Sequence, residues 1–376
     1  MKISMKIGLI RGGQLGYMLI EAGMKYSDLF FVLDSDEKAP CRNFCKEFTI
    51  SNPLDADAVE AFGSELDAVI VEFEHVSVEG LKRLEKRGIK VYPQADVLAS
   101  IQDKCLQKQF FKQNELPTSN FKIVQSQNEL SNEDFPAVIK QPKGGYDGKG
   151  VCIAKNPANI PENWKGALLV EEKIDIEKEL GIIVARNKKG EIVVYPAVEM
   201  VFHEGHNMLD MLVCPARIGK EVEKKAEEIA KKTAEAYKIV GILAVELFLT
   251  TKGEILINEV APRAHNSGHG SIEANQTSQF EQLIRITHNY PLGKTDLKSP
   301  MAMLNLVGEA KKSGPTKYIG MKDALSEQGG HVHLYGKEES RPHRKMGHVT
   351  VLDASIDKAM ERARIIQNQL TVTSNE

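Results

Sequence analysis

Apolar residues recur with two different periods over the first ninety residues. Apolar-rich runs at 6–10, 29–33, 68–71 and 89–92 predict strands, while stretches beginning at Gln14 and at 55–62 and 78–86 place apolar residues every three or four positions and predict helices. Strands that alternate with helices build a parallel, doubly wound sheet, an α/β arrangement, here assigned to residues 1–95. From Tyr92 onward the pattern changes. A helix over 102–114, then Pro117 and an extended segment, mark a boundary. Further strands are expected at 136–140, 167–170 and 180–185, and a helix at 222–237 carries its core face at 222, 226, 229, 233 and 237 and stops at Gly241. After Pro300, short apolar stretches at 303–307, 331–334 and 349–352 predict a small β-rich unit, and the tail from Thr371 is expected to fray. The division is thus 1–95, 96–295 with a glycine-loop subdomain at about 118–175, and 296–376, the later parts having α+β character.

The most informative pair of runs is 242–249 and 254–259, joined by Thr250-Thr251-Lys252-Gly253 as a hairpin. If Leu249 pairs with Glu254, residue 246 lies opposite 257, and Glu246 and Glu259 become diagonal neighbours on one face, roughly 7–8 Å apart. Two acids directed into a mostly apolar sheet repel unless a cation lies between them, and one or two metal ions fit that separation. The alternative is a solvated hairpin face. It leaves unexplained the Asn258 beside Glu259 and the Arg263-Ala264-His265-Asn266 that follow.

A chain of 376 residues is too long for one ordinary core, so two or three domains are expected. The 49 basic and 52 acidic residues nearly cancel, which gives no footprint for nucleic acid or an anionic membrane. No apolar run reaches the length of a membrane span and the N-terminus lacks the apolar core of a signal peptide, so a cytoplasmic location is expected. Cysteines at 41, 45, 105, 152 and 214 show no C-x-x-C spacing, which supports neither a disulfide framework nor a zinc knuckle.

Three loops carry further polar chemistry. Arg11-Gly12-Gly13-Gln14-Leu15-Gly16 joins the first strand to the first helix, where bare amides can hold an anion, although Arg11 stands at the first glycine of a dinucleotide fingerprint. Asp34 keeps a nicotinamide dehydrogenase open as a rival, and a plain tight turn is the bland reading. Glu72-Phe73-Glu74-His75 ends the third predicted strand, at the sheet edge where such folds bind ligands; carboxylates there suit sugar hydroxyls, and a solvated loop is equally compatible. Lys140 ends a strand before a loop with four glycines between 144 and 150. That loop could fold over phosphates with its amides and Lys149, yet Gly150 stands where a Walker loop requires Ser or Thr. A simple glycine-rich hairpin is the alternative. At 171–174 a strand runs into a linker whose backbone could meet an adenine edge, and Lys337, Arg341, Arg344 and Lys345 suit a phosphate or a solvated basic turn.

One chemistry uses these ingredients together: an ATP-dependent ligase. Hard oxygen ligands favour Mg²⁺, with Mn²⁺ as a substitute, and lysines beside it offset charge as a phosphoryl group moves. An arginine and a histidine beside the metal suit a small carboxylate or bicarbonate as the phosphoryl acceptor. The chain resembles the ATP-grasp enzymes and, within them, the N5-carboxyaminoimidazole ribonucleotide synthetase family. The resemblance runs over nearly the whole chain, through Gly-Gly-Gln-Leu-Gly (12–16), Glu-Phe-Glu-His-Val (72–76), Gln-Asp-Lys (102–104), Gly-Tyr-Asp-Gly-Lys-Gly (145–150), Val-Glu-Glu (170–172), Ala-Val-Glu-Leu-Phe (244–248), the run from Asn258 to His269, Thr-Ser-Gln-Phe-Glu-Gln (277–282) and Arg-Lys-Met-Gly-His-Val-Thr (344–350). The order and spacing of these motifs carry the specificity.

The resemblance implies an ATP-grasp fold between a Rossmann-like N-terminal domain and a small C-terminal β domain, a homodimer, and carboxylation of 5-aminoimidazole ribonucleotide with bicarbonate and ATP. Carried over by position, it places ATP on Lys104, Lys140, Gly145, Tyr146, Asp147, Gly148, Lys149, Gly150, Glu171, Glu172, Lys173, Ile174, Glu179, Phe202, Asn258 and Glu259. It places the metal on Glu246 and Glu259, and the chemistry of bicarbonate and its acyl phosphate on Arg263, His265 and Asn266, with Asp147. The ribonucleotide falls to Gln14, Glu74, Tyr146 and Asp147, with its phosphate on Lys337, Arg344 and Lys345. Departures from the family pattern are Arg11 at the first glycine, Phe202 where a histidine is usual, with His203 next to it, and Met200 where asparagine is common. A formate-dependent glycinamide ribonucleotide transformylase shares the metal and loop features and differs in its acceptor; the Arg263 to His269 run argues against it. A catalytically dead nucleotide-binding regulator is the third rival.

Overall fold

The computed structural model describes residues 4–145, 150–202 and 209–374. In its N-terminal part, strands β1 (Lys6–Ile10), β2 (Leu29–Asp34), β3 (Glu47–Ile50), β4 (Ala68–Val71) and β5 (Lys90–Tyr92) form a wholly parallel sheet in the order β3-β2-β1-β4-β5. Helices α1 (Gln14–Met24), α2 (Ala56–Gly63) and α3 (Val78–Lys86) make the crossovers. All of β4 is buried, as expected where helices cover both faces of a parallel sheet. The helix starts are locally encoded: the Asp55 side chain accepts from the amides of Asp57 and Ala58, and Ser77 accepts from Gly80. Strand β3 escapes the apolar pattern because it is an edge strand with only half-buried side chains at Phe48 and Thr49.

The helix expected at 102–114 is α5 (Lys104–Gln113), and a further helix, α4 (Ala95–Ile101), precedes it. Asp103 breaks them apart by capping the amides of Cys105 and Leu106. There follows a four-stranded sheet of β6 (Phe121–Val124), β7 (Ala137–Lys140), β8 (Val151–Ala154) and β9 (Leu168–Glu172) in the order β6-β9-β7-β8, with its own core around Ile139, Leu168, Val170 and Trp164.

A nine-stranded sheet dominates the remainder. It contains β10 (Ile176–Arg186), β11 (Ile192–Val194), β12 (Val198–Phe202), β13 (Leu209–Cys214), β14 (Gly241–Thr250) and β15 (Ile255–Ala261). Helix α6 (Lys220–Tyr237) packs on it and ends earlier than Gly241 suggested: Lys238 takes the left-handed terminal position at φ 49°, and Gly241 opens β14. After α7 (Ser271–Ala274) and α8 (Gln279–Thr287) come β16 (Met301–Val307), β17 (Gly314–Ile319), α9 (Met321–Ser326), β18 (Gly330–Leu334), β19 (Glu339–Ser340), β20 (Lys345–Leu352), α10 (Ile356–Gln369) and β21 (Thr371–Ser374). Apart from β11, which pairs with β10, the strand order is β15-β14-β10-β12-β13-β16-β20-β18, so strands after residue 300 continue the sheet that carries the acid pair.

At this end one helix goes unread and one expectation fails. Helix α10 was not anticipated because its buried side is mostly small, Ala359 and Ala363 with Ile366. The tail does not fray at Thr371: β21 pairs antiparallel with β17, and Val372 is buried. Among the described residues, no helix is long and apolar enough to cross a membrane.

Candidate active site

The acid pair is closer than the simple hairpin register predicts. Leu249 pairs with Ile255, not Glu254, and the register shifts between Glu246 and Leu247, so that Leu247 faces Ile257 while Glu246 faces Glu259. Asn258 is the extra residue of a bulge. The two acids are therefore directly opposed rather than diagonal. Burial and the neighbouring Glu259 push the Glu246 carboxyl up to about 8. Burial acts on Glu259 as well, but the ammonium groups of Lys104 and Lys140 outweigh it and hold that carboxyl low. Lys104 Nζ contacts Glu259 Oε2, and His265 Nε2 lies 3.4 Å from Glu246 Oε1. On the adjoining β10, Glu179 is pushed up to about 7 by burial, with Glu259 adding to the rise.

Among the described residues, no set of three His, Cys, Asp or Glu side chains converges on a metal position. Two facing carboxylates whose repulsion a cation would relieve nevertheless fit Mg²⁺, which commonly takes one or two protein carboxylates and completes its shell with phosphate oxygens and water.

Lys140, the last residue of β7, donates to Asn258 Oδ1 at 2.9 Å and lies 2.6 Å from Glu171 Oε2. The other oxygen of Glu171 contacts Lys108. Its carboxylate is thus committed inside the protein, so that only the backbone of Glu171 could serve a nucleotide. Glu172 is exposed and accepts from Asn120 Nδ2 at 2.8 Å; Lys173 and Ile174 link β9 to β10, and Phe202 ends β12. At the base of the glycine loop, Gly150 has φ 71° and its carbonyl accepts from the Gln141 amide at 2.9 Å. Tyr146, Asp147, Gly148, Lys149 and His203 lie outside the described residues.

Beyond β15, Arg263 Nε lies 2.8 Å from Glu74 Oε1, and its guanidinium carbon sits 5.6 Å from the centre of the Phe73 ring. His265 is clamped by Gln279, whose side chain accepts from its amide at 2.9 Å and donates to its carbonyl at 2.7 Å. The Ser267 amide donates to His265 Nδ1 at 3.3 Å, which leaves Nε2 directed at Glu246. Asn266 Oδ1 is buried beside these groups and has no hydrogen-bond partner among the described residues.

The turn before α1 is not the open anion cradle that the glycines suggested. Glu72 occupies the helix N-terminus, accepting from the amides of Leu15 at 3.0 Å and Gly16 at 3.4 Å, and Asp34 accepts from the Gly12 amide at 2.7 Å. A Cβ on Gly13 would stand 2.6 Å from Glu72 Oε1, so this glycine is needed for close approach. Arg11 has φ 78°, the left-handed conformation that explains why glycine suits this position. With Asp34 and the helix terminus both engaged, the dehydrogenase reading loses its two supports. Glu72 and Glu74 follow the fourth strand, not the third.

The next residue, Gln14, accepts from Lys337 Nζ at 2.7 Å, and the same ammonium donates to the Lys345 carbonyl at 2.6 Å. Arg344 donates to the Glu339 carbonyl at 2.6 Å. The N-terminal sheet edge and the C-terminal basic cluster therefore meet. Sequence reasoning overlooked Lys108, whose place one helical turn after Lys104 does not by itself show that it is enclosed, and gave Gln279, within the 277–282 motif, no role of its own.

A paired-acid hairpin flanked by lysines, between a parallel-sheet domain and a β-rich end, is the arrangement of the ATP-grasp class, and residues 109–280 match the ATP-grasp domain family. Residues 4–102 match the ribonucleotide synthetase preATP-grasp domain, and residues 301–362 the phosphoribosylaminoimidazole carboxylase C-terminal domain. The chain belongs to the N5-carboxyaminoimidazole ribonucleotide synthase family. The Bacillus subtilis protein of that name is 34% identical over 361 residues, covering 94% of this chain and 92% of its own length. Among solved structures, the N5-carboxyaminoimidazole ribonucleotide synthetase of Thermotoga maritima superposes with a TM-score of 0.91 at 42% identity, covering 99% of this chain and 100% of that one. The Aspergillus clavatus N5-carboxyaminoimidazole synthase, in complex with ADP and 5-aminoimidazole ribonucleotide, gives 0.87 at 27% identity and covers 98% of this chain and 99% of its own.

Proposed function

We propose that this protein carboxylates 5-aminoimidazole ribonucleotide in purine biosynthesis, converting ATP, bicarbonate and the ribonucleotide into N5-carboxyaminoimidazole ribonucleotide, ADP and phosphate. Bicarbonate oxygen attacks the γ-phosphorus of ATP, ADP leaves, and carboxyphosphate forms. This collapses to CO₂ and phosphate, and the exocyclic amine of the ribonucleotide attacks the carbon and loses a proton. Mg²⁺, or Mn²⁺ in its place, held by Glu246 and Glu259, supplies Lewis-acid stabilisation at the terminal phosphates when bound.

The chain's own groups do the rest. Lys104 and Lys140 offset charge on the phosphates, while Gly145, Tyr146, Asp147, Gly148, Lys149 and Gly150 cover them. The nucleotide lies along the backbone of Glu171, Glu172, Lys173 and Ile174, with Glu179, Phe202 and Asn258 near it. Arg263, His265 and Asn266 orient bicarbonate and its acyl phosphate, and Asp147 serves at the same centre. Gln14, Glu74 and Tyr146 receive the ribonucleotide, and Lys337, Arg344 and Lys345 receive its phosphate. The observation that supports this reading most is the direct opposition of Glu246 and Glu259 beside Lys104 and Lys140.

Purified protein is expected to release ADP only when ribonucleotide and bicarbonate are both present, in an assay that omits each in turn. Equally fast release with formate and glycinamide ribonucleotide would reject the acceptor. From the family resemblance, the reading extends to a homodimer acting in the cytoplasm; sedimentation at the mass of one chain removes the dimer.

A further inference from the structure

Lys108 lies one turn beyond Lys104 on α5 and is only 3% exposed. Its ammonium contacts Glu171 Oε1 and Thr118 Oγ1 and lies 3.0 Å from Ser119 Oγ. Glu171 is equally enclosed, at 4% exposed, and its second oxygen is 2.6 Å from Lys140 Nζ. Lys140 in turn donates to Asn258, the neighbour of Glu259. A polar chain thus runs from the interior of α5 to the acid pair. Thr118 also donates to the Ile257 carbonyl at 2.8 Å, which ties the segment leading into β6 to the strand that carries Asn258 and Glu259.

The Lys108 ammonium repels that of Lys140 and so offsets part of the pull that the shared Glu171 carboxylate exerts on Lys140. With Lys108 gone, that pull would act on Lys140 unopposed, in surroundings where attraction between charges is much stronger than in water. Lys140 would be drawn back and partly neutralised before any phosphate arrived. We propose that Lys108 is a positioning residue: by sharing Glu171, it keeps the charge of Lys140 available to the phosphates of the nucleotide. This rests on the nucleotide reading given above.

The test is calorimetric titration of the full chain with Mg-ADP, which needs no acceptor. Lys108→Met is expected to weaken binding about tenfold or more, and Lys108→Arg to restore most of it. Lys108→Met combined with Glu171→Gln should bind more tightly than Lys108→Met alone, because no carboxylate then remains to withdraw Lys140. A merely structural lysine predicts instead that the two losses add. Binding by Lys108→Met within twofold of the unaltered protein, or additive losses in the double variant, would overturn the proposal. If Lys108→Met does not fold, Lys108→Gln decides by the same criteria. Failure of the unaltered protein to bind Mg-ADP removes the nucleotide reading as well, whereas normal binding with no carboxylation rejects only the acceptor.

Discussion

At the scale of single residues, the acid pair sets stability against function. Glu246 rises from 4.5 to about 8 in the folded protein, and Glu179 rises in the same direction. A carboxyl raised by folding binds more protons in the native than in the unfolded chain between those two values, so its contribution to stability is present at low pH and is lost as pH rises through them. Glu259, held low, acts in the opposite sense and only below 4.5. His269 and His348, both held by burial well below the ordinary histidine value of 6.5, act in the opposite sense below that value, so in metal-free protein the melting temperature should fall as pH rises from about 6.5 to 8. Glu246→Gln should flatten that fall and abolish turnover, because the amide removes the repulsion together with a proposed metal ligand. Thermal melts of both proteins across this range check it; parallel slopes would mean that Glu246 is not strained as described. Added Mg²⁺ should raise the melting temperature of the unaltered protein more at pH 8 than at pH 5.

At the scale of elements, what could be read from the chain was what periodicity encodes. Strands β1, β2 and β4, helix α3 and the β14–β15 hairpin follow from apolar spacing and caps, and the convergence of Glu246 with Glu259 follows from the hairpin. The register did not. A bulge at Asn258 is invisible to a period-two pattern, because the residue after it resumes the same alternation on the opposite phase. The same blindness affects the turn before α1, where glycines signal a close approach without saying what approaches. It is Glu72, from a strand end more than fifty residues away, that fills the helix terminus. Lys108 was missed for a related reason. A lysine on a helix is ordinarily solvated, and only the position of Glu171 on β9 shows that this one is enclosed.

At the scale of the whole molecule, strands β16, β18 and β20 are part of the sheet that carries the acid pair. Strand β13 has β12 on one side and β16 on the other. Met211 and Val213 pack with Ala302, Leu304, Val349 and Val351, while Leu212 on the opposite face packs with Met301 and Met303. A chain ending at Ser299 would uncover both faces of β13 and leave its edge unpaired. Full burial of a Val, Leu or Met side chain is worth about 1.5–3 kcal/mol, so uncovering Met211, Leu212 and Val213 costs about 5–9 kcal/mol, comparable to the whole stability of an ordinary domain. The basic cluster proposed to receive the ribonucleotide phosphate would go too, since Lys337, Arg344 and Lys345 all lie beyond the cut. The truncated chain is therefore expected to lack a cooperative melt and to expose apolar surface to a dye such as ANS, whereas the full chain melts cooperatively. A truncated chain that melts cooperatively within a few degrees of the full protein would show that the sheet does not need its last strands, and that the C-terminal part serves the ribonucleotide site alone.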